Sequence, residues 1–247
     1  MRKLTLIFAM ILAISIFFGT EKSFSYTIND ATYDSIGYPT YELFGININQ
    51  AGSSLTFDIY TNYPGIDTCG SWTTYAADLG LDLNNDSIYE YGVAFRDHDG
   101  VTRGELYSVD TTITTTTNYY GTYNDILNGW YTSDHYAPYH HSGIGYLYNG
   151  NLPVSIASII GSSALSSSDV VWSAKDAAMP YYKASVTFDA NSIFTDPNYS
   201  GSMNVFYGGA TCANDYASGK YAPVPEPSSI LLLGMGILGL VGLKRKA

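Results

Sequence analysis

Ala184-Ser185-Val186-Thr187-Phe188-Asp189-Ala190 decides the fold class. Ala184, Val186, Phe188 and Ala190 fall on one face at a period of two, and the polar residues between them fall on the other. That alternation describes a β-strand with one buried side; a helical period would scatter the same apolar residues around a cylinder. Working outward, comparable runs occupy 41–48, 53–60, 73–81, 89–95, 104–109, 170–174 and 202–207, separated by glycine and asparagine clusters. Twenty-four tyrosines and many threonines suit pleated, half-buried surfaces, while glycine and asparagine suit the turns between them. No charged amphipathic helix of any length is present. The pattern predicts an all-β protein, an antiparallel β-sandwich of jelly-roll or immunoglobulin-like type, in one domain over 26–223. A helical turn or two is expected within 157–165, although the serine-rich 162–168 reads as a loop.

The stretch 111–150 resists the same reading. It contains a threonine run, Trp130 and eight tyrosines. Forty residues of plain loop would be unusual in a compact domain, so a lobe, an edge hairpin or a binding loop is expected there.

Charge excludes one class of partner. The whole chain carries a net charge of −11, and residues 26–223 contain five Lys or Arg against 20 Asp or Glu, about −15. Such a surface repels phosphate backbones, so nucleic acid is not an expected partner. Divalent cations and neutral glycans are compatible with it.

The best candidate for metal chemistry is Asp82-Leu83-Asn84-Asn85-Asp86-Ser87-Ile88-Tyr89-Glu90. Asp82, Asn84, Asp86 and Glu90 place oxygen side chains at relative positions 1, 3, 5 and 9, like short calcium loops of exported β-proteins. A tight turn gathers such oxygens around a hard cation at about 2.3–2.6 Å. Ser87 stands where such loops prefer glycine, Glu90 replaces an aspartate, and Val93 at position 12 excludes an EF-hand. The other reading is an acidic hairpin turn with solvated carboxylates.

Cys69 and Cys212 are the chain's two cysteines, and outside the cytoplasm a pair is expected to be bridged. Two separate buried thiols are the alternative. His135, His140 and His141, with Asp134, fit either a zinc or copper cluster or a surface loop; Pro138 removes helical spacing between them. Ser, His and Asp are all available, but no nucleophile frame such as GxSxG occurs, so an enzyme is not expected. Trp72, Trp130 and Trp172 and the tyrosines offer flat apolar faces for sugar rings, or else core packing.

The two ends carry sorting information. Met1-Arg2-Lys3, an apolar stretch over 4–18 and Ser23-Phe24-Ser25 form a secretory signal peptide over 1–25, with Tyr26 as the expected mature start. At the other end, Val224-Pro225-Glu226-Pro227 precedes an apolar transmembrane segment over 229–243 and the basic cluster Lys244-Arg245-Lys246. The apolar core from 230 to 243 would span about 21 Å as a helix, against roughly 30 Å of hydrocarbon. The cluster sets a cytoplasmic C-terminus. Gly234, Gly236 and Gly239 match GxGxxG, but no βαβ unit follows, so this is not a nucleotide site.

These three C-terminal parts, in this order, resemble the PEP-CTERM sorting signal of Gram-negative bacteria. The resemblance covers residues 224–247. It implies transient residence in the inner membrane, processing near 225–227 by an exosortase-type protease, delivery to the outer surface or extracellular matrix, and a link to exopolysaccharide and biofilm. A permanent single-pass anchor is the other reading. More weakly, an acidic turn leading into 89–95 and the later strand at 182–188 resemble the sandwich of family 9 carbohydrate-binding modules. The expected role is a non-catalytic glycan-binding or structural protein that engages exopolysaccharide or copies of itself. The alternative is a secreted, glycoside hydrolase-like enzyme.

Overall fold

The computed structural model describes residues 23–30, 39–69, 72–116, 125–132, 152–210 and 215–223. Sixteen strands account for about half of them. β1 (Ser23–Asn29), β2 (Leu43–Ala51), β3 (Ser54–Thr61), β14 (Tyr182–Asp189) and β13 (Val170–Ser173) form one antiparallel sheet in the order β1-β2-β3-β14-β13. β16 (Ala217–Tyr221), β15 (Met203–Tyr207), β6 (Leu79–Asp82), β7 (Tyr91–Val93) and β8 (Leu106–Ser108) form a second, in the order β16-β15-β6-β7-β8. The two sheets enclose the main core, and the all-β sandwich expected from the alternation is what forms.

Strand β14 shows how the pattern drives this packing. Its alternate residues Ala184, Val186 and Phe188 are buried, and Phe188 stacks on Phe57 of β3 at 5.7 Å between ring centroids. Ile46, Ile48, Leu55 and Ile59 complete the inward face of the first sheet, and Leu79, Leu81, Val93, Val205 and Tyr207 that of the second. At about 1.5–3 kcal/mol for each large side chain removed from water, this core is the main stabilising term. Polar ties join the sheets at one edge: Tyr221 donates its hydroxyl to Gln50 Oε1 at 2.6 Å, and Leu43 N–H donates to Asp215 Oδ2 at 2.6 Å.

A third layer covers the outer side of the second sheet. β9 (Thr115–Thr116), β10 (Asp125–Leu127), β11 (Trp130–Thr132) and β12 (Pro153–Ile156) pair in the order β12-β11-β10-β9. Trp130 and Ile156 pack with Ala94, Val101, Tyr107 and Val109 into a smaller core. Glycine is required beneath them. A Cβ on Gly92 would lie 2.8 Å from Ile156 and 2.9 Å from Trp130, and one on Gly80 would lie 2.9 Å from the Tyr89 ring. Covered on both sides, β6 is buried along its whole length.

The strand expectations are met with adjustments. The run 73–81 is two strands, β5 (Trp72–Tyr75) in a hairpin with β4 (Ile66–Cys69), and β6; the chain leaves the hairpin at Ala76, which bridges to Ala210. No helix forms at 157–165. The one α-helix among the described residues is α1 (Asn191–Phe194), capping β14. β1 begins at Ser23, across the expected cleavage site; cutting after Ser25 leaves 26–29 still registered against 45–48 of β2. Among the described residues no helix is long and apolar enough to cross a membrane. The transmembrane segment expected at 229–243 lies outside them.

Candidate functional site

The acidic turn connects β6 to β7, and its conformation follows from one carboxylate. Asp82, at the end of β6, is wholly buried. Its Oδ1 accepts N–H groups from Asn85 (2.6 Å) and Asp86 (3.3 Å), and its Oδ2 accepts from Ser87 N–H (2.9 Å) and Asn204 Nδ2 (3.1 Å). Asn84 Oδ1 accepts Asp86 N–H at 3.0 Å, and Asp86 Oδ1 accepts Ile88 N–H at 2.8 Å. These are side chain to backbone closures typical of Asp and Asn in turns. Asn85 and Ser87 hold φ at +63° and +70°. Asparagine tolerates that region, whereas serine carries a Cβ penalty of roughly 1–2 kcal/mol. Position 87 is therefore glycine-like in conformation, which is what the comparison with short calcium loops required of it.

The turn concentrates negative charge. Asp82, Asp86 and Glu90 each bring one carboxylate oxygen within 4.8 Å of the others. Oxygens around a calcium ion at about 2.3–2.6 Å stand at up to about 5 Å from one another, so the spacing is compatible. Burial, opposed by the Leu83 N–H that Glu90 accepts at 2.9 Å and reinforced by the Asp82 and Asp86 charges, raises the Glu90 carboxyl above its ordinary value. Burial and then the Asp82 charge push Tyr89 up to about 12. Asn85 Oδ1 is buried with no hydrogen-bond partner among the described residues. Asp82 itself is not a solvated ligand, because the four N–H groups use the lone pairs of both its oxygens. Asp86 and Glu90 keep free lone pairs, and Asn84 spends its amide on Asp86 Oδ2 at 3.0 Å.

Sequence reasoning missed two features here. Asn204, on β15, reaches Asp82 only because the strand register places them opposite one another, 122 residues apart. The second is a sealed polar node. Asp78, wholly buried, accepts Phe95 N–H (2.9 Å) and Ile156 N–H (2.8 Å), and faces His98 Nε2 at 2.8 Å and Ser155 Oγ at 3.2 Å. Ser155 Oγ also lies 3.3 Å from the same Nε2. A nucleophilic triad needs serine and carboxylate on opposite imidazole nitrogens and an exposed hydroxyl. Asp99 Oδ2 does lie 3.3 Å from the opposite nitrogen, Nδ1, but Ser155 is wholly buried and shares Nε2 with the closer carboxylate of Asp78. The arrangement ties β12 to the second sheet. No local motif announces it, since its members are 20 and 57 residues apart.

The tryptophans divide. Trp130 is 1% exposed and donates Nε1–H to Tyr89 O at 2.9 Å, so it is core and not a sugar platform. Trp172 is half-buried against Gly65, whose added Cβ would meet the indole at 2.9 Å. Trp72 lies in β5. In the stretch 111–150, the described parts form the third layer, an outcome among those expected. His135, His140, His141 and Asp134 lie outside the described residues, as do Cys212, and with it any bridge to Cys69, and all of 224–247.

Comparison with known proteins adds one finding. Residues 223–246 match the PEP-CTERM protein-sorting motif. The match includes Val224, Pro225, Glu226, Pro227, Lys244, Arg245 and Lys246, the residues on which the resemblance rested. The motif marks an exported protein that an exosortase-type enzyme processes and sorts to the cell surface. No curated protein and no solved structure matches the chain.

Proposed function

We propose that this chain, carrying a PEP-CTERM sorting motif at 223–246, is a non-enzymatic surface or matrix protein that engages neutral exopolysaccharide. The observation that carries the reading is the contrast between the sorting tail and the body. The tail addresses the chain to the envelope. In the body, the serine of the Ser-His-Asp grouping among the described residues is wholly buried, and the buried Asp78 competes with it for His98 Nε2. The acidic surface disfavours polyanions and leaves neutral sugars as the compatible polymer.

Calcium belongs to the same proposal. The donors fit a divalent cation in spacing and charge, with Asp86 and Glu90 as first ligands and Asp82 joining only by releasing an amide. Bound there, a cation would offset the burial and the Asp82 and Asp86 repulsion that raise Glu90, and would stiffen the β6–β7 connection.

The test is co-sedimentation of the exported protein with the polysaccharide of the producing cells, with and without a calcium chelator. Retention with unchanged chain length of the glycan is expected. Shortened glycan would instead indicate a hydrolase, and recovery of the protein in the supernatant would remove the glycan role.

A further inference from the structure

We propose that the outer face of the first sheet is the polysaccharide-binding face, an inference that rests on the glycan reading and gives it a location. On this face the outward residues of β1, β2, β3 and β14 are mostly uncharged hydroxyls and amides arranged in rungs, with Asp58, Lys183 and Asp189 as the charged members. One rung runs Asn49, Thr56, Thr187, with Thr56 Oγ1 and Thr187 Oγ1 2.8 Å apart. The next runs Thr27, Asn47, Asp58, Ser185: Thr27 donates to Asn47 Oδ1 at 2.5 Å, and Ser185 donates to Asp58. The one acid on these rungs is balanced, because Lys183 Nζ lies 3.5 Å from Asp58 Oδ1. With Asp189 at the far end of β14, the face carries a net charge of about −1 in a chain of net charge −11.

Aromatic rings close one end of it. A residue before β14, Tyr181 stands edge-on to Tyr60 at 5.3 Å and tilted to Phe44 at 5.6 Å. All three are half-buried, so each leaves ring surface at the solvent boundary.

Chemistry selects the occupant. The lateral hydrogen bonds pre-set the hydroxyls in position, and each keeps unused donor or acceptor capacity facing outward. Rungs repeat at about 6.7 Å along the strands and about 4.8 Å across them, a rigid grid on regular structure. An extended chain of neutral pyranoses offers hydroxyls that donate and accept, together with C–H faces for the rings. A polyanion would meet the acidic surroundings. A second copy of the protein would find little to bury, since the exposed aliphatic residue of this sheet, Val171, stands at its edge on β13 and stable protein interfaces have an apolar centre.

The experiment is native electrophoresis of the exported protein through gels cast with hydroxyethyl cellulose, laminarin, dextran or galactomannan, with alginate and polymer-free gels alongside. Retardation in at least one neutral gel is expected. The double variant T56V/T187V, which keeps shape and strand preference while removing both hydroxyls, should weaken apparent affinity about tenfold. Tyr60→Ala, checked for folding by circular dichroism, should do the same. Retardation that survives both variants would overturn this face while leaving glycan binding in place. Absence of retardation in every neutral gel would overturn both, and retardation in alginate alone or equally in the polymer-free gel would overturn the neutral-glycan chemistry.

Discussion

At Asp82, two oxygens organise four N–H groups, and that concentration makes the residue the most sensitive point of the turn. Asp82→Asn keeps one acceptor oxygen and turns the other into a donor facing Ser87 N–H and Asn204 or Asn85 and Asp86. Buried donors lose charged acceptors, a loss of about 2–4 kcal/mol, measurable as a lower urea midpoint at unchanged slope. Glu90 makes the opposite prediction. Its carboxyl is raised from 4.5, so the folded chain holds that proton more tightly than the unfolded chain does. Stability from this group is therefore greatest below the ordinary carboxyl range and declines as pH rises through 4.5 to the raised value. Glu90→Gln keeps an acceptor for Leu83 N–H and removes the charge. Thermal melts in chelator should show a higher midpoint near neutral pH and a flatter pH dependence, and the calcium-induced rise should vanish. Unchanged melting of the unmodified protein on adding calcium would contradict the metal proposal. The donor spacing in this turn was legible from 82–90 because its ligand-type residues are local in sequence. The near-saturation of Asp82 was not, since it depends on Asn204 from another strand.

At the scale of elements, strands with one buried face could be recognised by their period of two, as β3 and β14 were. β16 and β1 were not anticipated, and β6 was merged with β5, for identifiable reasons. β16, Ala-Ser-Gly-Lys-Tyr, is an edge strand poor in β-branched residues. β1 overlaps Ser23-Phe24-Ser25, whose small residues read as a cleavage site. β6 is covered on both sides, so Gly80 and Asp82 are as buried as Leu79 and Leu81. The third layer depends on close approach over glycine, which spacing alone does not reveal. Trp130→Ala should therefore cost about 3–5 kcal/mol, as expected for a fully buried large side chain. Gly92→Ala should also destabilise, because its methyl would enter the volume held by Ile156 and Trp130. Chemical denaturation checks both; a cost below about 1 kcal/mol for Trp130→Ala would mean that the third layer is not packed on the second sheet.

For the whole molecule, the sequence reports destination more directly than activity. The sorting motif is contiguous, whereas a binding face is assembled from strands far apart in the chain, such as Thr56 and Thr187. Changing Pro225, Glu226 and Pro227 together to alanine should leave the protein membrane-associated and uncut, visible as a heavier species in the membrane fraction. The most direct measurement is the intact mass of the unmodified protein recovered from the cell surface. Processing by an exosortase-type enzyme predicts a chain that ends near 225–227 and lacks the apolar segment and the basic cluster. A mass that still includes Leu243 and Lys244 would contradict it.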